Sequence, residues 1–240
     1  MGWKTIIQKL VLLNIIIGGY QTTLILKSLK IKIMKQLKKA FITPSNFSKL
    51  MAARGLGKVA FDYADEVVLQ MFGIFKPSFS SAATGWGIEL EKQAIERYSL
   101  ETLTTAEKVE ISIHHPEIEY VKGKPDALIL ESNGIIEVKC PYNPIGHLDC
   151  LREAKKEIEE CPKGYMSDYW WQIQGYLWIT KREWCDFVSY DPRFEQEEQI
   201  IIQRVYPNQK DISLLTERCS EFWDIVQSRI PEKYKEPVVK

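Results

Sequence analysis

Residues 123–141 read GKPDALILESNGIIEVKCP, and the fold of the chain is organised around this stretch. The turn-forming residues 132–134 separate one apolar run, 127–130, from a second one that begins at 135. Two short β-forming runs on either side of an Asn-Gly pair are typical of a β-hairpin. We therefore predict two antiparallel strands joined by a tight turn at Asn133-Gly134.

Three charged side chains gather at one end of this predicted hairpin. Strand alternation places Glu137 and Lys139 on one face, with Val138 turned the other way into the core. Asp126 opens the first strand and completes the pattern P-D-(x10)-E-x-K. Carboxylate oxygens hold Mg²⁺ or Mn²⁺, and such a cation orients a scissile phosphate and acidifies a water molecule. The pattern thus predicts a site for a cation and a phosphate, in which the lysine positions water or offsets transition-state charge.

Length and composition allow one large domain, or one domain with appendages. The chain has 240 residues, 45% of them apolar and 11% aromatic, so a sizeable core is available and disorder is disfavoured. Its five cysteines are scattered without a CxxC pair: Cys140, Cys150, Cys161, Cys185 and Cys219. This usage predicts a reduced, cytoplasmic protein without a disulfide framework.

Positive charge is concentrated at the front of the chain, although the net charge is zero. No Asp or Glu precedes Asp62, whereas eleven Lys and Arg do. This asymmetry indicates a basic arm for a polyanion or a membrane surface, unless the front is not native structure.

Residues 1–33 permit three interpretations. The uncharged stretch 10–26 is at the lower limit for a membrane-spanning helix, and its glycines and polar residues weaken that interpretation. A signal peptide is the second, but no small-x-small cleavage site precedes Lys27. The third, which we favour, makes Met34 the working start. We predict that residues 1–33 are a basic and apolar extension, that residues 34–240 are a single domain, and that the protein has no stable membrane association.

Helical and strand patterns continue on both sides of the hairpin. The predicted helices are 61–72, one from Gly85 onward, 149–160, 168–180 and 211–229, and the predicted strands are 109–113, 118–121, 185–190 and 200–206. Glu91 lies beside the buried stripe of the helix from Gly85, where a carboxylate is usually solvated or paired. Tyr169, Gln172 and Tyr176 share one face of helix 168–180.

Two further patterns carry weaker signals. Thr43 or Ser45 can cap a helix, and a helix start beside Lys38 suits a phosphate, although a solvated lysine face is the more ordinary interpretation. The pair His114-His115 resembles a zinc site but lacks a second cluster at ligand spacing, so no zinc is predicted.

Six segments occur in an order that is informative as a set: ITPSNF (42–47), WGIELE (86–91), PDAL (125–128), EVKCP (137–141), YWWQIQ (169–174) and FVSYDPR (187–193). Together they resemble the PD-(D/E)XK nuclease superfamily and, within it, the phage lambda exonuclease and YqaJ-type viral recombinase family. The resemblance spans roughly residues 35–229 and no part of 1–33. It implies a restriction-endonuclease-like α/β fold, with a central mixed β-sheet flanked by helices, and makes residues 34–240 a nuclease domain.

The resemblance also implies an active site. Asp126, Glu137, the backbone carbonyl of Val138 and Glu91 match the family's ligands for Mg²⁺, with Mn²⁺ as a substitute. Among the matched positions, the catalytic group is Glu91, Asp126, Glu137, Lys139 and Gln172, with Tyr169 in a supporting role. Lys38 and Ser45 match contacts to the 5′-phosphate of a DNA end. Lys38 stands where an arginine is usual, which replaces a bidentate fork by a point charge.

The implied activity is the processive 5′-to-3′ digestion of one strand of linear double-stranded DNA, with 5′-phosphomonoester products. The remaining single strand would pass to a single-strand annealing protein for recombination in a bacterial or phage-infected cell. The family further implies a ring-shaped homotrimer.

Other classes share part of this pattern. An iron–sulfur nuclease needs a cysteine upstream of the core, and none precedes Cys140. A restriction- or repair-type endonuclease of the same fold and a non-catalytic DNA-end binding protein stay open, although the complete set of acids and lysine favours catalysis.

Overall fold

A six-stranded mixed sheet runs through the computed structural model, which describes residues 37–75, 81–153 and 157–235. The strands are β1 (Ala106–Lys108), β2 (Ile113–His114), β3 (Lys122–Gly123), β4 (Ala127–Ile129), β5 (Gly134–Lys139), β6 (Glu157–Ile158), β7 (Trp184–Tyr190) and β8 (Ile200–Val205). The large sheet has the order β1-β4-β5-β7-β8-β6, and β2 pairs with β3 separately. The pairs β5–β7 and β6–β8 are parallel and the other pairs are antiparallel.

Helices cover both faces of this sheet. They are α1 (Lys58–Met71), α2 (Ala82–Thr102), α3 (Ile145–Arg152), α4 (Trp170–Thr180) and α5 (Gln209–Arg229), with 3₁₀ helices at Pro44–Leu50, Tyr165–Tyr169 and Glu232–Tyr234. The prediction of an α/β fold with a central mixed sheet flanked by helices is confirmed.

The chain divides into two units, Lys39–Arg229 and a second unit of Met1–Lys38 with Ile230–Lys240. The predicted extension 1–33 lies outside the described residues, so its separation from residues 34–240 stays a prediction. Within the described ranges, no helix is long and apolar enough to cross a membrane.

The predicted hairpin is present, but its connection differs from the prediction. Ala127 pairs with Ile136 in the antiparallel pair β4–β5, and a four-residue loop, 130–133, joins the strands. Gly134 is the first residue of β5 and has no positive φ. A Cβ atom added to Gly134 would lie 2.3 Å from the indole of Trp184. The glycine is therefore required by the close approach of a neighbouring strand, and the predicted tight turn at Asn133-Gly134 is wrong.

The two faces of the sheet bury different apolar clusters. Helix α2 covers one face, where Ile136, Val138 and Val188 are buried. Helix α4 covers the other face, where Ile135, Cys185 and Phe187 are buried. Because side chains alternate along β5, this division turns Glu137 and Lys139 toward α4, as predicted.

Two segments differ from their predicted secondary structure. The predicted strands 109–113 and 118–121 are displaced to β1, β2 and β3. The chain turns between β2 and β3, where the Nδ1 atom of His115 accepts from the N–H groups of Glu117 and Ile118. The predicted helix 149–160 is instead α3, which ends at Arg152, and β6. Ile158 is buried and pairs with Val205, so burial in the sheet overrides the helical preference of that segment.

Candidate active site

Asp126 is fixed at the entrance to β4 by the backbone of β5. Its Oδ2 accepts a hydrogen bond of 2.7 Å from the N–H of Val138. Its own N–H donates to the carbonyl of Ile136 at 3.1 Å. The hairpin therefore sets the distance between the Asp126 carboxylate and the end of β5, with no contribution from a flexible loop.

Glu137 lies next to Asp126 on the α4 side of the sheet and is 1% exposed. Its Oε1 accepts from Lys139 Nζ at 2.5 Å and from Gln172 Nε2 at 2.6 Å. Its Oε2 is buried and has no hydrogen-bond partner among the described residues. Since an unsatisfied carboxylate oxygen is costly to bury, this oxygen favours a positively charged or hydrogen-donating partner.

Burial raises the pKa of both carboxylic acids of the site. Burial, followed by repulsion from Asp126, raises the pKa of Glu137 to about 8, against the opposing attraction of Lys139. Burial also raises the pKa of Asp126, an effect that the hydrogen bond from Val138 and the charge of Lys139 only partly offset. A bound divalent cation would offset both the burial cost and the repulsion.

Lys139 extends from the end of β5 over an aromatic ring. Its Nζ lies 4.6 Å from the centroid of Tyr169 as well as bonding Glu137. Burial by itself lowers the pKa of Lys139, but the Glu137 carboxylate outweighs that effect and the net pKa is raised. The Lys139 side chain therefore holds a positively charged ammonium group beside Glu137.

Helix α4 supports the site through two of the predicted residues. Gln172 donates to Glu137 and to the hydroxyl of Tyr176, at 3.1 Å, which orients its amide toward the carboxylate. Tyr169 is at the N-cap of α4, and its hydroxyl donates to Tyr165 at 3.0 Å. The shared face predicted for this helix is thus a face directed at the acids.

Glu91 reaches the same region from α2, on the opposite face of the sheet. It adds to the negative potential that raises the pKa of both Asp126 and Glu137. Its Oε1, however, forms an ion pair of 2.8 Å with Lys108 Nζ on β1. Within the described ranges, no group of three or more His, Cys, Asp and Glu is arranged so that it could hold a metal ion.

The chemistry of the donors nevertheless fits a hard divalent cation. The buried Oε2 of Glu137 needs a partner, and Asp126 supplies a second carboxylate beside it. Burial raises the pKa of the neighbouring Cys140 to about 12, so this residue stays a thiol and is a poor ligand. Asp126 and Glu137 are the residues that would hold the cation; the roles of Glu91 and of the Val138 carbonyl as further ligands stay predictions.

The segment predicted to contact a DNA end packs on α4. Pro44–Leu50 is a 3₁₀ helix, and Phe47 lies so close to Gly175 that a Cβ there would be 2.4 Å from the ring. Ser45 is exposed on this segment, and neither Thr43 nor Ser45 makes a side-chain cap. The predicted capping is therefore wrong, while Ser45 is accessible on the side of the sheet that carries Gln172. Lys38 belongs to the other unit, so its proximity to Ser45 stays a prediction.

The two neighbouring histidines have structural contacts. His115 is buried, its ring lies tilted against that of Trp178 at a centroid distance of 4.4 Å, and its Nδ1 accepts from backbone N–H groups. Burial lowers its pKa, so the ring is neutral. His114 lies edge-on to Phe41 at 5.1 Å. Both rings thus pack against aromatic side chains, while the buried Nε2 atom of His115 has no hydrogen-bond partner among the described residues.

Two residues at the site carried no signal in the sequence. Lys108 is one of many surface lysines until the sheet places it beside Glu91. Arg193 donates to the carbonyls of Pro141 and Tyr142, and its guanidinium lies 4.7 Å from the ring of Trp86. It thereby links the loop after Lys139 to the start of α2. Only its place in the FVSYDPR segment hinted at a role.

The sheet order and an acidic pair at the end of its central hairpin define a nuclease of the restriction-endonuclease-like fold. Within that class, the chain belongs to the family of the YqaJ-like viral recombinase domain, which matches residues 34–183. The family predicted from the sequence is confirmed.

Solved structures agree with this assignment. The alkaline exonuclease LHK-Exo from Laribacter hongkongensis is 29% identical, aligns with 79% of this chain and 89% of its own, and has a TM-score of 0.68. Its complex with dAMP aligns over the same shares at 30% identity and a TM-score of 0.68. A phage-related exonuclease from Haemophilus somnus 129PT, at 19% identity, shares the fold, with a TM-score of 0.65 over 82% of this chain and 97% of its own. No curated protein matches the sequence.

Proposed function

We propose that the protein is a Mg²⁺-dependent exonuclease that resects linear double-stranded DNA from 5′ to 3′. One observation carries the proposal: Glu137 is buried, with one oxygen held by Lys139 and Gln172 and the other without a hydrogen-bond partner in the part of the chain that the structure describes. A carboxylate held in this way is oriented for a divalent cation. The exonuclease activity named for LHK-Exo, which was also solved in complex with dAMP, supports the choice of DNA as the substrate.

Each residue of the site has a defined task in phosphodiester hydrolysis. Asp126 and Glu137 would hold Mg²⁺, which when bound supplies a Lewis acid for the scissile phosphate and an acidified water. Lys139, whose ammonium group bonds Glu137, would orient the attacking water and offset the negative charge of the transition state. Gln172 keeps Glu137 in one rotamer, so that little reorganisation is needed during the reaction.

The finer parts of the proposal concern the DNA end and the assembly. Exposed Ser45, together with Lys38, would bind the 5′-phosphate and so set the polarity of digestion, releasing 5′-phosphomonoesters. A homotrimer would keep the DNA engaged between cleavage events, and a single-strand annealing protein would receive the remaining strand for recombination. The family assignment supports these roles.

The deciding experiment compares three substrates with and without Mg²⁺: linear duplex with a 5′-phosphate, linear duplex with a 5′-hydroxyl, and closed circular duplex. We expect Mg²⁺-dependent loss of 5′-label from the linear DNA only, fastest with the phosphate. Replacing Asp126 with Asn should reduce the rate by about 10³-fold or more while DNA binding persists. Cleavage of circles at an equal rate would indicate an endonuclease instead, and normal digestion by Asp126→Asn would refute the site.

Ser45→Ala tests the end-recognition role separately. We expect the preference for the 5′-phosphate over the 5′-hydroxyl to fall, because one hydrogen bond to the phosphate is lost. Ser132→Ala is the matched control, since Ser132 is exposed in the loop before β5 and its carbonyl is bonded to Arg182. An equal loss of rate on both kinds of end would contradict the assignment of Ser45.

A further inference from the structure

Lys108 lies at the boundary between the active site and the edge of the sheet. It is the last residue of β1 and stands opposite Ala127, the residue after Asp126. Its Nζ forms the 2.8 Å ion pair with Glu91, and the side chains of Lys108 and Glu91 are 45% and 28% exposed. Carboxylates surround it, since Glu91, Glu110 and Asp126 all act on its charge.

We propose that Lys108 is a positioning residue that competes with the metal ion for Glu91. In the metal-free state its ammonium neutralises this glutamate and holds it away from the acidic pair. Binding of a divalent cation at Asp126 and Glu137 then releases Glu91 from Lys108, and Glu91 turns to the cation. The inference rests on the proposed function and adds a residue that sets how tightly the metal is held.

Two observations favour competition over an ordinary surface ion pair. First, Asp126 and Glu91 both act electrostatically on Glu137, yet the ranges that the structure describes hold no group of three or more His, Cys, Asp and Glu that is ready for a metal ion. Second, Lys108 holds the Glu91 carboxylate through its Oε1 atom, so Lys108 and a cation would use the same carboxylate. Replacing Lys108 by a neutral residue removes one positive charge beside these carboxylates, so the site then attracts a cation more strongly.

The expected size of the effect follows from the exposure of the pair. Partly exposed ion pairs are worth up to about 1 kcal/mol, which corresponds to about a fivefold change in a dissociation constant. Replacing Lys108 with Met should therefore tighten the binding of the metal by about two- to fivefold. Lys108→Arg keeps the charge and should stay near the wild-type value.

The test is calorimetric titration of the full-length chain with Mn²⁺ in the absence of DNA. Lys92→Met is the matched control, because Lys92 is a strongly exposed lysine of α2 that pairs with Glu96 at 3.6 Å and removes the same charge. Wild type and Lys92→Met should bind equally, Lys108→Met more tightly, and Asp126→Asn not at all. In the double variant Glu91→Gln/Lys108→Met the gain should disappear, since the competition acts through Glu91.

The outcomes separate this inference from the proposed function. If Mn²⁺ binds and Asp126→Asn abolishes binding, but Lys108→Met and Lys92→Met share one dissociation constant, the metal site stands and the competition is refuted. Weaker binding by Lys108→Met also refutes it, as does a change in melting temperature without a change in affinity. A wild-type chain that binds no Mn²⁺ overturns both.

Discussion

Single side chains at the site differ sharply in what they do, even when they are close in sequence. Gln172 and Gln174 are two positions apart on α4. Gln172 bonds Glu137 of the candidate site, whereas Gln174 is fully buried, accepts from the N–H of Asn208 and donates to the carbonyl of Tyr206. The first therefore orients a proposed metal ligand, and the second joins α4 to the start of α5.

We predict opposite effects for the two glutamines when each is replaced by Met. Gln172→Met should lower the cleavage rate by about 10- to 100-fold with little change in melting temperature, as is usual when the group that orients a metal ligand is lost. Gln174→Met should cost about 1–3 kcal/mol of unfolding free energy for each backbone group left unpaired, with near-normal activity of the folded fraction. Denaturant melts and rates at saturating Mg²⁺ measure both; a common phenotype would show that the assignment is wrong.

At the scale of elements, residues of the segment after α4 fix the hairpin of β4 and β5. Arg182, just after α4, donates through one nitrogen to the carbonyls of Ile129, Ser132 and Gly134 at 2.9–3.3 Å. The indole of Trp184 covers Gly134. The loop of the hairpin thus takes its shape from the α4–β7 connection.

Gly134→Ala tests this close approach. Its new methyl group would meet the indole of Trp184 in a well-packed region, so we expect a loss of about 1–3 kcal/mol in unfolding free energy. Gly87→Ala is the control, because a Cβ at this position of α2 meets nothing within 4 Å. It should be stabilising by about 0.4–1 kcal/mol through the unfolded state. Urea denaturation of the two variants decides, and a stable Gly134→Ala would contradict the packing argument.

The loop after Lys139 is bonded by a second arginine, Arg193. The partner of Arg193 is Asp191, whose ionisation makes the stability of the fold depend on pH. Asp191 is fully buried and accepts two hydrogen bonds from the Arg193 side chain, at 2.6 and 2.8 Å. Burial alone would raise the pKa of Asp191, but the bonds from Arg193 outweigh it and hold the pKa below its usual value. A carboxylate of this kind stabilises the fold above its unfolded pKa, and that contribution is lost as the pH falls through the folded pKa.

We therefore expect Asp191→Asn to lose about 1–2 kcal/mol of unfolding free energy at pH 7, a loss that shrinks below about pH 4. Asp149→Asn is the control, since Asp149 forms a largely exposed pair with Arg152 and should change stability by less than about 0.5 kcal/mol. Chemical denaturation at pH 7 and pH 3 compares them. A destabilisation of Asp191→Asn that is equal at both values would argue against a role for its charge.

At the scale of the whole molecule, helices pack on both faces of one sheet, and the candidate site receives residues from both faces. Asp126, Glu137 and Lys139 lie on the α4 side, while Glu91 approaches from α2. The family match begins at residue 34, and the larger unit begins at Lys39. Every described residue of the site other than Lys38 belongs to that unit.

A chain that starts at Met34 should therefore fold and cleave DNA like the full chain. We expect its far-ultraviolet circular dichroism spectrum and melting temperature to agree with those of residues 1–240. Its rate on linear duplex should agree within a factor of about two, since independent regions contribute additively. Light scattering of both chains in parallel tests the proposed homotrimer. A short chain that is inactive or aggregated would show that residues 1–33 are part of the working protein.

Local spacing alone predicted the acids and the lysine of the hairpin. The hairpin, the common face of Glu137 and Lys139 and the burial of Val138 follow from strand alternation, which acts over a few residues. The helical face of Gln172 was predicted from spacing, and its link to the active site from the resemblance. Its hydrogen bond to Glu137 is known only from the structure.

The tertiary structure decided whatever depends on residues far apart in the sequence. The segment around Ile158 became a strand because pairing with β8 outweighs its helical preference. Gly134 serves the indole of Trp184, fifty positions away, and not a tight turn. Glu91 meets Lys108 only because β1 lies at the sheet edge beside β4. The sequence of the hairpin at 123–141 thus determined the position of its own acids. The charged residues around those acids are brought there by long-range packing. Such packing depends on the free energy of burial, which the local sequence does not encode.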